Sequence, residues 1–294
     1  VLKEKYKTLK TQGNFNNELG LPLTVFRLRE GDQIAVLEMG ISDFGEMTRL
    51  AKIARPDTCV ITNIGTCHLE FLGDRDGVLK AKTEIFQYVN PDGHIVLNGD
   101  DDKLCTVKEY HGIKPVFFGM DQGLPVYADE VKSLGLKGMS CRIHMGEESF
   151  PVKIPMPGHH MIDTEKYLIV DDCYNANPMS MKASLDVLKD ADGRKVAILG
   201  DMGELGEDEI ALHEGVGSHA AKCGIDLLIC CGSLSGYMAQ KVKQDNPSLD
   251  VIYEPDREAL LSKIGGYVKE GDTILVKASH FMHFEELVNK LQKV

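Results

Sequence analysis

The sequence predicts an α/β protein with two domains: a central domain on a parallel sheet with an antiparallel β edge, and a smaller doubly wound domain after it. Short apolar runs bounded by turn residues alternate with stretches of helical spacing, which is the pattern of parallel strands joined by helices. The 294 residues suffice for two domains of roughly 100–200 residues. The turn-forming run Pro157-Gly158-His159-His160 indicates a boundary nearby, so we expect domains at 1–162 and 163–294.

The first domain contains three apolar runs that predict buried parallel strands, with helical spacing between them. Later, from residue 115 to 155, short β runs alternate with glycines, which predicts antiparallel hairpins on the edge of the sheet. The strands are expected at 34–39, 57–62 and 94–97, and the helices at 46–54 and 76–88.

The second domain repeats the alternation of apolar runs and helical spacing, which is typical of a doubly wound sheet. Its five strands are expected at 166–170, 195–199, 227–230, 251–253 and 273–276.

Charge and composition exclude several classes of protein. The 33 Lys and Arg against 45 Asp and Glu leave a net charge of -12, which would repel a nucleic-acid backbone. No run approaches the roughly 18–20 apolar residues of a membrane span, and the first residues lack the apolar core of a signal peptide, so we expect a cytoplasmic protein. The eight cysteines show no Cys-x-x-Cys spacing, which indicates reduced, buried thiols and not a disulfide or zinc framework.

Three residues of the first domain stand at or just after predicted strand ends, where open α/β sheets bind ligands. Glu38 closes the first strand, His68 lies in the loop after the second, and Lys82 lies on the next helix. Because a carboxylate ending an apolar strand is costly unless it is paired or metal-bound, Glu38 is a candidate magnesium ligand. Structural roles also fit: a salt bridge or cap for Glu38, a hydrogen-bonded loop histidine for His68, and a solvated lysine for Lys82.

Two loops of the second domain also follow strands. In the first, Asn177 precedes Pro178 and suits a helix N-cap. The amides of Asn175 and Asn177 and the ring of Tyr174 equally suit contact with a purine. The second loop, residues 200–206, contains three glycines, which permit close approach of a ligand to the backbone or serve packing.

A set of motifs, spread in order over nearly the whole chain, resembles those of the Mur ligase family. The resemblance implies a P-loop-type central domain and a Rossmann-like second domain. The motifs are Asn14-x-Asn16-Asn17-x-x-Gly20-x-Pro22, Leu37-Glu38-Met39-Gly40 with Gly45-Glu46, Thr62-Asn63-Ile64 with His68-Leu69-Glu70, Lys80-Ala81-Lys82-x-Glu84-Ile85-Phe86, Asp172-x-Tyr174-Asn175-Ala176-Asn177-Pro178, Gly200-Asp201-Met202-Gly203-Glu204-Leu205-Gly206 and Leu275-Val276-Lys277-Ala278-Ser279.

The resemblance implies an ATP-dependent amide ligase of peptidoglycan precursor synthesis, with UDP-N-acetylmuramoyl-tripeptide and D-alanyl-D-alanine as substrates. A carboxylate would be phosphorylated to an acyl phosphate, from which an amine then displaces phosphate. Glu38 and His68 match magnesium ligands of the family, and Lys82 matches a lysine that is carbamylated to give an anionic oxygen ligand. We expect a monomer, with no nucleic-acid partner.

The resemblance also implies roles for residues that contact substrates, and domain closure would bring the two sets together. Tyr174, Asn175 and Asn177 would bind ATP through its adenine or ribose. Substrate contacts would come from Asn14, Asn16, Asn17, Lys277 and Ser279, the last two near the acceptor dipeptide or the acyl phosphate.

The chain departs from the family pattern at several places. No Gly-x-x-Gly-Lys-Thr/Ser phosphate loop is present, so we expect the chain to begin inside the helix that follows this loop and not to hydrolyse ATP as printed. At 158–163 a further segment is expected to be absent. Ala278 and His280 stand where the family more often has glycine and arginine, so no arginine role is expected there.

Three alternatives can be compared with this interpretation. Another Mur-type or folylpolyglutamate-type amide ligase would keep the chemistry, although no Asp-Asn-Pro-Arg motif is present. A truncated, non-catalytic homologue would explain the missing phosphate loop but not the joint retention of Glu38, His68 and Lys82. A dinucleotide-dependent oxidoreductase would need a Gly-x-Gly-x-x-Gly turn after a first strand, which neither half provides.

Overall fold

The computed structural model describes residues 1–66, 68–155 and 160–294, with the backbone alone for residue 160. The chain forms two compact units, Val1–Asp129 with Ile143–Phe150, and Glu130–Arg142 with Pro151–Val294. Among the described residues, no helix has the length and apolar character needed to cross a membrane. The turn expected at 157–160 falls mainly on residues outside this description.

The first unit opens with a small parallel pair, β1 (Thr8–Lys10) and β2 (Ile34–Val36), which is separate from the main sheet. The expectation of a buried strand over 34–39 was therefore wrong. The strand ends at Val36, whose side chain is 46% exposed. Only β1 pairs with β2 among the described strands, so the apolar run lacks the cover on both faces that buries a central parallel strand.

A second sheet has six strands in the order β3-β4-β5-β6-β7-β8. Its predicted strands and the helices at 46–54 and 76–88 are confirmed. The strands are β3 (Thr58–Ile61), β4 (His94–Asn98), β5 (Val116–Gly119), β6 (Val126–Ser133), β7 (Met139–Met145) and β8 (Glu148–Ile154). The helices are α1 (Gly20–Val25), α2 (Glu46–Ala54), α3 (Leu69–Leu72) and α4 (Arg75–Thr83), followed by a 3-10 segment at Glu84–Tyr88.

The strand β5 begins the region that was expected to be antiparallel, yet it pairs in parallel with β4, and β6 starts in parallel register with β5. The connection from residue 99 to 115 explains the first pairing, because parallel neighbours need a crossover of about a dozen residues or more. Helices α2 and α4 bury Leu50, Ala51 and Ala81 in the core of this unit.

The second unit is built on a six-stranded sheet with the order β13-β12-β11-β14-β10-β9. All five predicted strands are present and pair in parallel. They are β10 (Leu168–Asp171), β11 (Arg194–Gly200), β12 (Leu227–Cys231), β13 (Asp250–Tyr253) and β14 (Asp272–Lys277). The sixth strand, β9 (His160–Asp163), is an antiparallel edge strand that the sequence analysis missed.

Helices cover both faces of this sheet, as the doubly wound prediction requires. One core cluster includes Met181, Leu185, Val216 and Met238, and the other includes Leu260 and Leu287. The helices are α5 (Pro178–Lys189), α6 (Glu209–Ala220), α7 (Ser235–Asp245), α8 (Arg257–Lys263) and α9 (Glu285–Leu291). The cysteines that the structure describes are free thiols, and most are buried, as predicted.

Candidate active site

The loop after β3 is held in place by side chains from other parts of the first unit. The backbone N–H of Ile64 donates to Asp101 Oδ2 at 2.8 Å, and Arg75 Nε donates to the carbonyl of Ile64 at 2.9 Å. Asn98 Nδ2 donates to the carbonyl of Thr62 at 3.0 Å. These contacts fix the chain shortly before His68, which adopts a left-handed conformation (φ 58°) and is the N-cap residue of α3.

Lys82 reaches the same loop from α4. Its Nζ donates to the carbonyl oxygen of Asn63 at 3.0 Å, and the residue is half-buried. This contact places the amine against the loop that leads to His68.

Glu38 lies two residues beyond the end of β2 and is exposed. Its backbone N–H donates to Thr11 Oγ1 at 2.9 Å, and its Oε1 accepts from Asn16 Nδ2 at 3.0 Å. Asn16 and His68 both line a cleft of about 510 Å³ in this unit. The structure thus brings Asn16, Glu38 and His68 to one region, with Asn16 linking the carboxylate to the cleft. The residues lining the cleft are Asn16, Asn17, Glu18, Leu19, Gly40, Ile41, Ser42, Glu46 and His68.

The other predicted asparagines of this region have different positions. Asn17 lines the cleft, but its Oδ1 accepts from the backbone N–H groups of Leu19 and Gly20 at 3.1 and 2.9 Å, at the start of α1. Asn14 is exposed and is not among the residues that line the cleft. Gly40 packs against Asn16 so closely that an added Cβ would lie 3.0 Å from its Nδ2.

Glu84 is a residue whose role the sequence analysis did not find. Its carboxylate accepts from the backbone N–H of Gly45 at 3.0 Å and from the backbone and hydroxyl of Thr48 at 3.1 and 2.8 Å. A carboxylate at this place satisfies the free N–H groups at the start of α2 and is favoured by the helix dipole. Because α2 begins beside the cleft, Glu84 holds one of its walls.

The predicted residues of the second unit gather at the carboxyl ends of β10, β11 and β14, which are neighbours in the sheet. Lys277 is 2% exposed, and its Nζ donates to Asp172 Oδ2 at 2.7 Å and to the carbonyl of Asn175 at 2.9 Å. Ser184 Oγ also donates to Asp172 Oδ2, at 2.6 Å. The cation of Lys277 is thus paired inside the protein and ties β14 to the loop after β10.

Ser279 makes a second connection between the same loops. Its Oγ accepts from the backbone N–H of Gly203 at 2.9 Å and donates to the carbonyl of Ala176 at 3.4 Å. Its own N–H donates to the carbonyl of Asp201 at 3.1 Å. Both Lys277 and Ser279 therefore orient backbone at this edge.

The loop after β11 depends on a buried histidine that the sequence analysis also missed. The Nδ1 of His213 lies 2.6 Å from the carbonyl oxygen of Glu209, and the N–H of Met202 donates to its Nε2 at 3.0 Å. Since a carbonyl oxygen only accepts, Nδ1 carries a proton, and since Nε2 accepts from the N–H of Met202, Nε2 carries none. The ring is therefore neutral. Burial lowers the pKa of His213, which agrees with this protonation state.

The remaining predicted residues divide into exposed and structural ones. Tyr174 is 62% exposed, with its ring centroid 5.9 Å from that of His280. Asn175 is exposed, and its Oδ1 accepts from the N–H of Ala176 at 2.8 Å. Asn177 caps α5: its Oδ1 accepts from the N–H of Ser180 at 2.9 Å, and its own N–H donates to the hydroxyl of Ser180 at 3.1 Å. This N-cap is the structural role predicted for Asn177.

Two described protein domains match consecutive parts of the chain. The Mur ligase middle domain matches residues 1–163, and the glutamate ligase domain of Mur ligases matches residues 160–280. The chain is 32% identical over 330 residues to the UDP-N-acetylmuramoyl-tripeptide–D-alanyl-D-alanine ligase of Bacillus subtilis strain 168, and the match covers 99% of this chain and 71% of that protein.

Two solved structures show the same similarity in three dimensions. A crystal structure of MurF from Acinetobacter baumannii has a TM-score of 0.87 and 29% identity, covering all of this chain and 72% of the other. The MurF ligase from Thermotoga maritima in complex with ADP has a TM-score of 0.83 and 28% identity, covering all of this chain and 75% of the other.

Proposed function

We propose that this chain, which belongs to the Mur ligase family, catalyses ATP-dependent amide bond formation between UDP-N-acetylmuramoyl-tripeptide and D-alanyl-D-alanine. The family predicted from the motifs is confirmed. The observation that carries the substrate assignment is the 32% identity, over 99% of the chain, with the Bacillus subtilis ligase of that name.

The donor set in the first unit suits a divalent cation. Glu38 offers carboxylate oxygens, one of which accepts from the uncharged amide of Asn16, while its backbone N–H donates to Thr11 Oγ1. Carboxylate oxygens are ligands that Mg²⁺ prefers. We propose that Glu38, His68 and Lys82 hold Mg²⁺, with Lys82 carrying a carbamate. Bound there, the ion would neutralise charge on the transferring phosphoryl group.

Carbamylation of Lys82 would solve a chemical conflict, since an ammonium ion cannot ligate a cation. The neutral amine attacks the carbon of CO₂, a new N–C bond forms, and one amine proton leaves to solvent, so that an anionic oxygen donor replaces a positive charge. The half-buried position and the bond to the Asn63 carbonyl hold the lysine beside the loop of His68.

In the second unit, Tyr174 and Asn175 are the predicted nucleotide contacts with exposed side chains. We propose that they contact the adenine or ribose of ATP, a role consistent with the ADP complex of the Thermotoga maritima relative. The nucleotide role of Asn177 stays a prediction, because its side-chain oxygen serves the α5 cap. For Lys277 and Ser279 we propose positioning of the loops that face the acceptor dipeptide, since their polar atoms bind backbone there.

In the proposed reaction a carboxylate oxygen of the tripeptide attacks the γ-phosphorus of ATP, and ADP leaves. The amine of D-alanyl-D-alanine then attacks the acyl carbon, phosphate leaves, and the amine loses a proton to solvent. The protein contributes mainly positioning and electrostatic stabilisation. Several expectations remain predictions. They are the contacts of Asn14, Asn16 and Asn17 with the muramoyl substrate, the cytoplasmic location, the monomeric state and the domain boundary at 162/163.

Phosphate release from ATP tests the proposal. Because the chain spans 71% of its Bacillus subtilis relative, the assay uses the product of the complete reading frame that contains it. With UDP-N-acetylmuramoyl-tripeptide present, the acceptor is varied among D-alanyl-D-alanine, L-lysine, diaminopimelate and glutamate. We expect release that depends on D-alanyl-D-alanine and that falls at least about 100-fold in Glu38→Gln and Lys82→Met, because each removes a proposed metal ligand.

The matched control is Lys80→Met, which removes an exposed lysine from the same helix and should leave release within about twofold of the wild type. Release with a different acceptor would move the protein to a sister ligase. Absence of release with every acceptor would overturn the proposal in favour of a non-catalytic homologue.

A further inference from the structure

A cluster of three metal-binding side chains lies on the helices of the second unit. Asp186 is on α5, His219 is on the last turn of α6, and Cys223 follows that helix. His219 Nε2 lies 2.8 Å from Asp186 Oδ1, and Cys223 Sγ lies 3.8 Å from the same oxygen. All three ligand atoms lie within 4.8 Å of one another, and no other such group occurs among the described residues.

The two separations from Asp186 Oδ1 are close to those of a tetrahedral zinc site. Zinc bonds of about 2.0–2.3 Å to oxygen, nitrogen and sulfur place neighbouring ligand atoms roughly 3.3–3.6 Å apart. The oxygen and nitrogen need to separate by about half an ångström, and the sulfur needs to approach the oxygen by a few tenths. The turn that follows α6 brings Cys223 back against His219, whose carbonyl oxygen lies 3.2 Å from Cys223 Sγ.

We propose that Asp186, His219 and Cys223 bind a Zn²⁺-class ion that links α5 to the end of α6. On binding, the thiol proton of Cys223 passes to solvent and a metal–sulfur bond replaces the S–H bond. One thiolate and one carboxylate then balance the two positive charges of the ion.

The chemistry of the donors selects the class of metal. Thiolate and imidazole favour zinc and similar borderline ions, whereas Mg²⁺ prefers oxygen ligands. The site is therefore distinct from the one proposed for Mg²⁺ in the first unit. It is also separate from the strand-end loops, because Asp186 lies eight residues along α5 from Pro178, about 12 Å along the helix axis.

The three side chains are accessible enough for a metal ion to reach them from solvent. The Asp186 side chain is 59% exposed and that of His219 is 30% exposed, while Cys223 is buried beneath them. Three protein ligands leave the fourth tetrahedral position to water, as in open zinc sites.

Titration of the full, metal-free chain with Co²⁺ tests the proposal, using protein without a histidine tag. A tetrahedral site with one thiolate gives a sulfur-to-cobalt charge-transfer band and intense visible bands. We expect one Co²⁺ per chain to give the charge-transfer band, and this ion to be displaced by Zn²⁺ but not by an excess of Mg²⁺ of about 1,000-fold. Cys223→Ser should abolish the charge-transfer band, and Asp186→Asn and His219→Gln should each weaken affinity at least about tenfold.

Cys105→Ser is the matched control, because Cys105 is a partly exposed thiol outside the cluster, and it should leave the titration unchanged. If Cys223→Ser fails to fold, the two surface variants decide the question with circular dichroism as the folding check. A charge-transfer band that persists in Cys223→Ser, unchanged affinity in both surface variants, or no saturable binding in calorimetry would overturn the proposal.

Discussion

Replacing Lys277 with Met removes the cation of a buried ion pair and leaves its carboxylate partner in place. In the wild type, the Nζ of Lys277 bonds to Asp172 at 2.7 Å and to the carbonyl of Asn175 at 2.9 Å. Met has nearly the length of Lys but no donor, so Asp172 and the carbonyl of Asn175 both lose the ammonium donor while the stem stays packed. We expect the second unit to be destabilised.

The size of the loss follows from the burial of the two partners. Removing one member of a buried pair costs about 3–5 kcal/mol, since an uncompensated charge remains. Asp172 is 15% exposed and keeps the hydroxyl of Ser184 at 2.6 Å, which moderates the penalty. The expected loss is therefore near the lower end, about 3 kcal/mol.

Urea denaturation followed by far-ultraviolet circular dichroism measures this loss as a shift in midpoint at constant slope. Lys290→Met, which removes an exposed lysine of α9, is the matched control and should change stability by no more than about 0.5 kcal/mol. Adding Asp172→Asn to Lys277→Met removes the stranded charge, so the double variant should be more stable than the sum of the two single losses by at least about 1 kcal/mol. A single-variant loss below about 1 kcal/mol, or strict additivity, would refute the reasoning.

Three further predictions concern the second unit. Because burial lowers the pKa of His213 from 6.5, its contribution to stability is complete above pH 6.5 and declines below it by up to about 1.4 kcal/mol per pH unit; urea midpoints at several pH values should show this slope in the wild type and not in His213→Gln. Asn177→Ala should lower the free energy of unfolding by about 1 kcal/mol because the α5 cap is lost, whereas Asn177→Asp should keep the cap; thermal unfolding measures the difference. Gly200→Ala places a Cβ 2.6 Å from that of Ala278 and should cost about 1–3 kcal/mol in the same measurement, while Gly266→Ala, with no atom within 4 Å of the added Cβ, should be nearly neutral.

Local patterns were enough to predict much of the second unit. The runs that became β11, β12 and β14 have almost continuously apolar centres, because parallel strands covered on both faces bury nearly all of their side chains. The α5 cap was also foreseeable, since an N-cap requires only Asn177, the following proline and a partner three residues on.

The same reasoning failed where the pattern was the same but the surroundings differed. The run at 34–39 is as apolar as a central strand, yet β2 pairs only with β1 among the described strands and is largely exposed. The edge strand β9 is short and mixed in character, and it forms because β10 offers an open edge. Whether a segment forms a strand at a sheet edge depends on a neighbouring strand that is not defined by the segment's own composition.

For the candidate site, the residue types and their order along the chain could be read from the sequence: a carboxylate at 38, a histidine at 68, a lysine at 82 and the polar loops after the strands of the second unit. Their partners could be read only from the tertiary structure. It joined Asn16 to Glu38, set Glu84 against the start of α2 from 39 residues away, and paired Lys277 with Asp172 across 105 residues. Hydrogen bonds and ion pairs act over a few ångströms of space whatever the distance along the chain, so the fold had to bring these groups together before their roles could be distinguished.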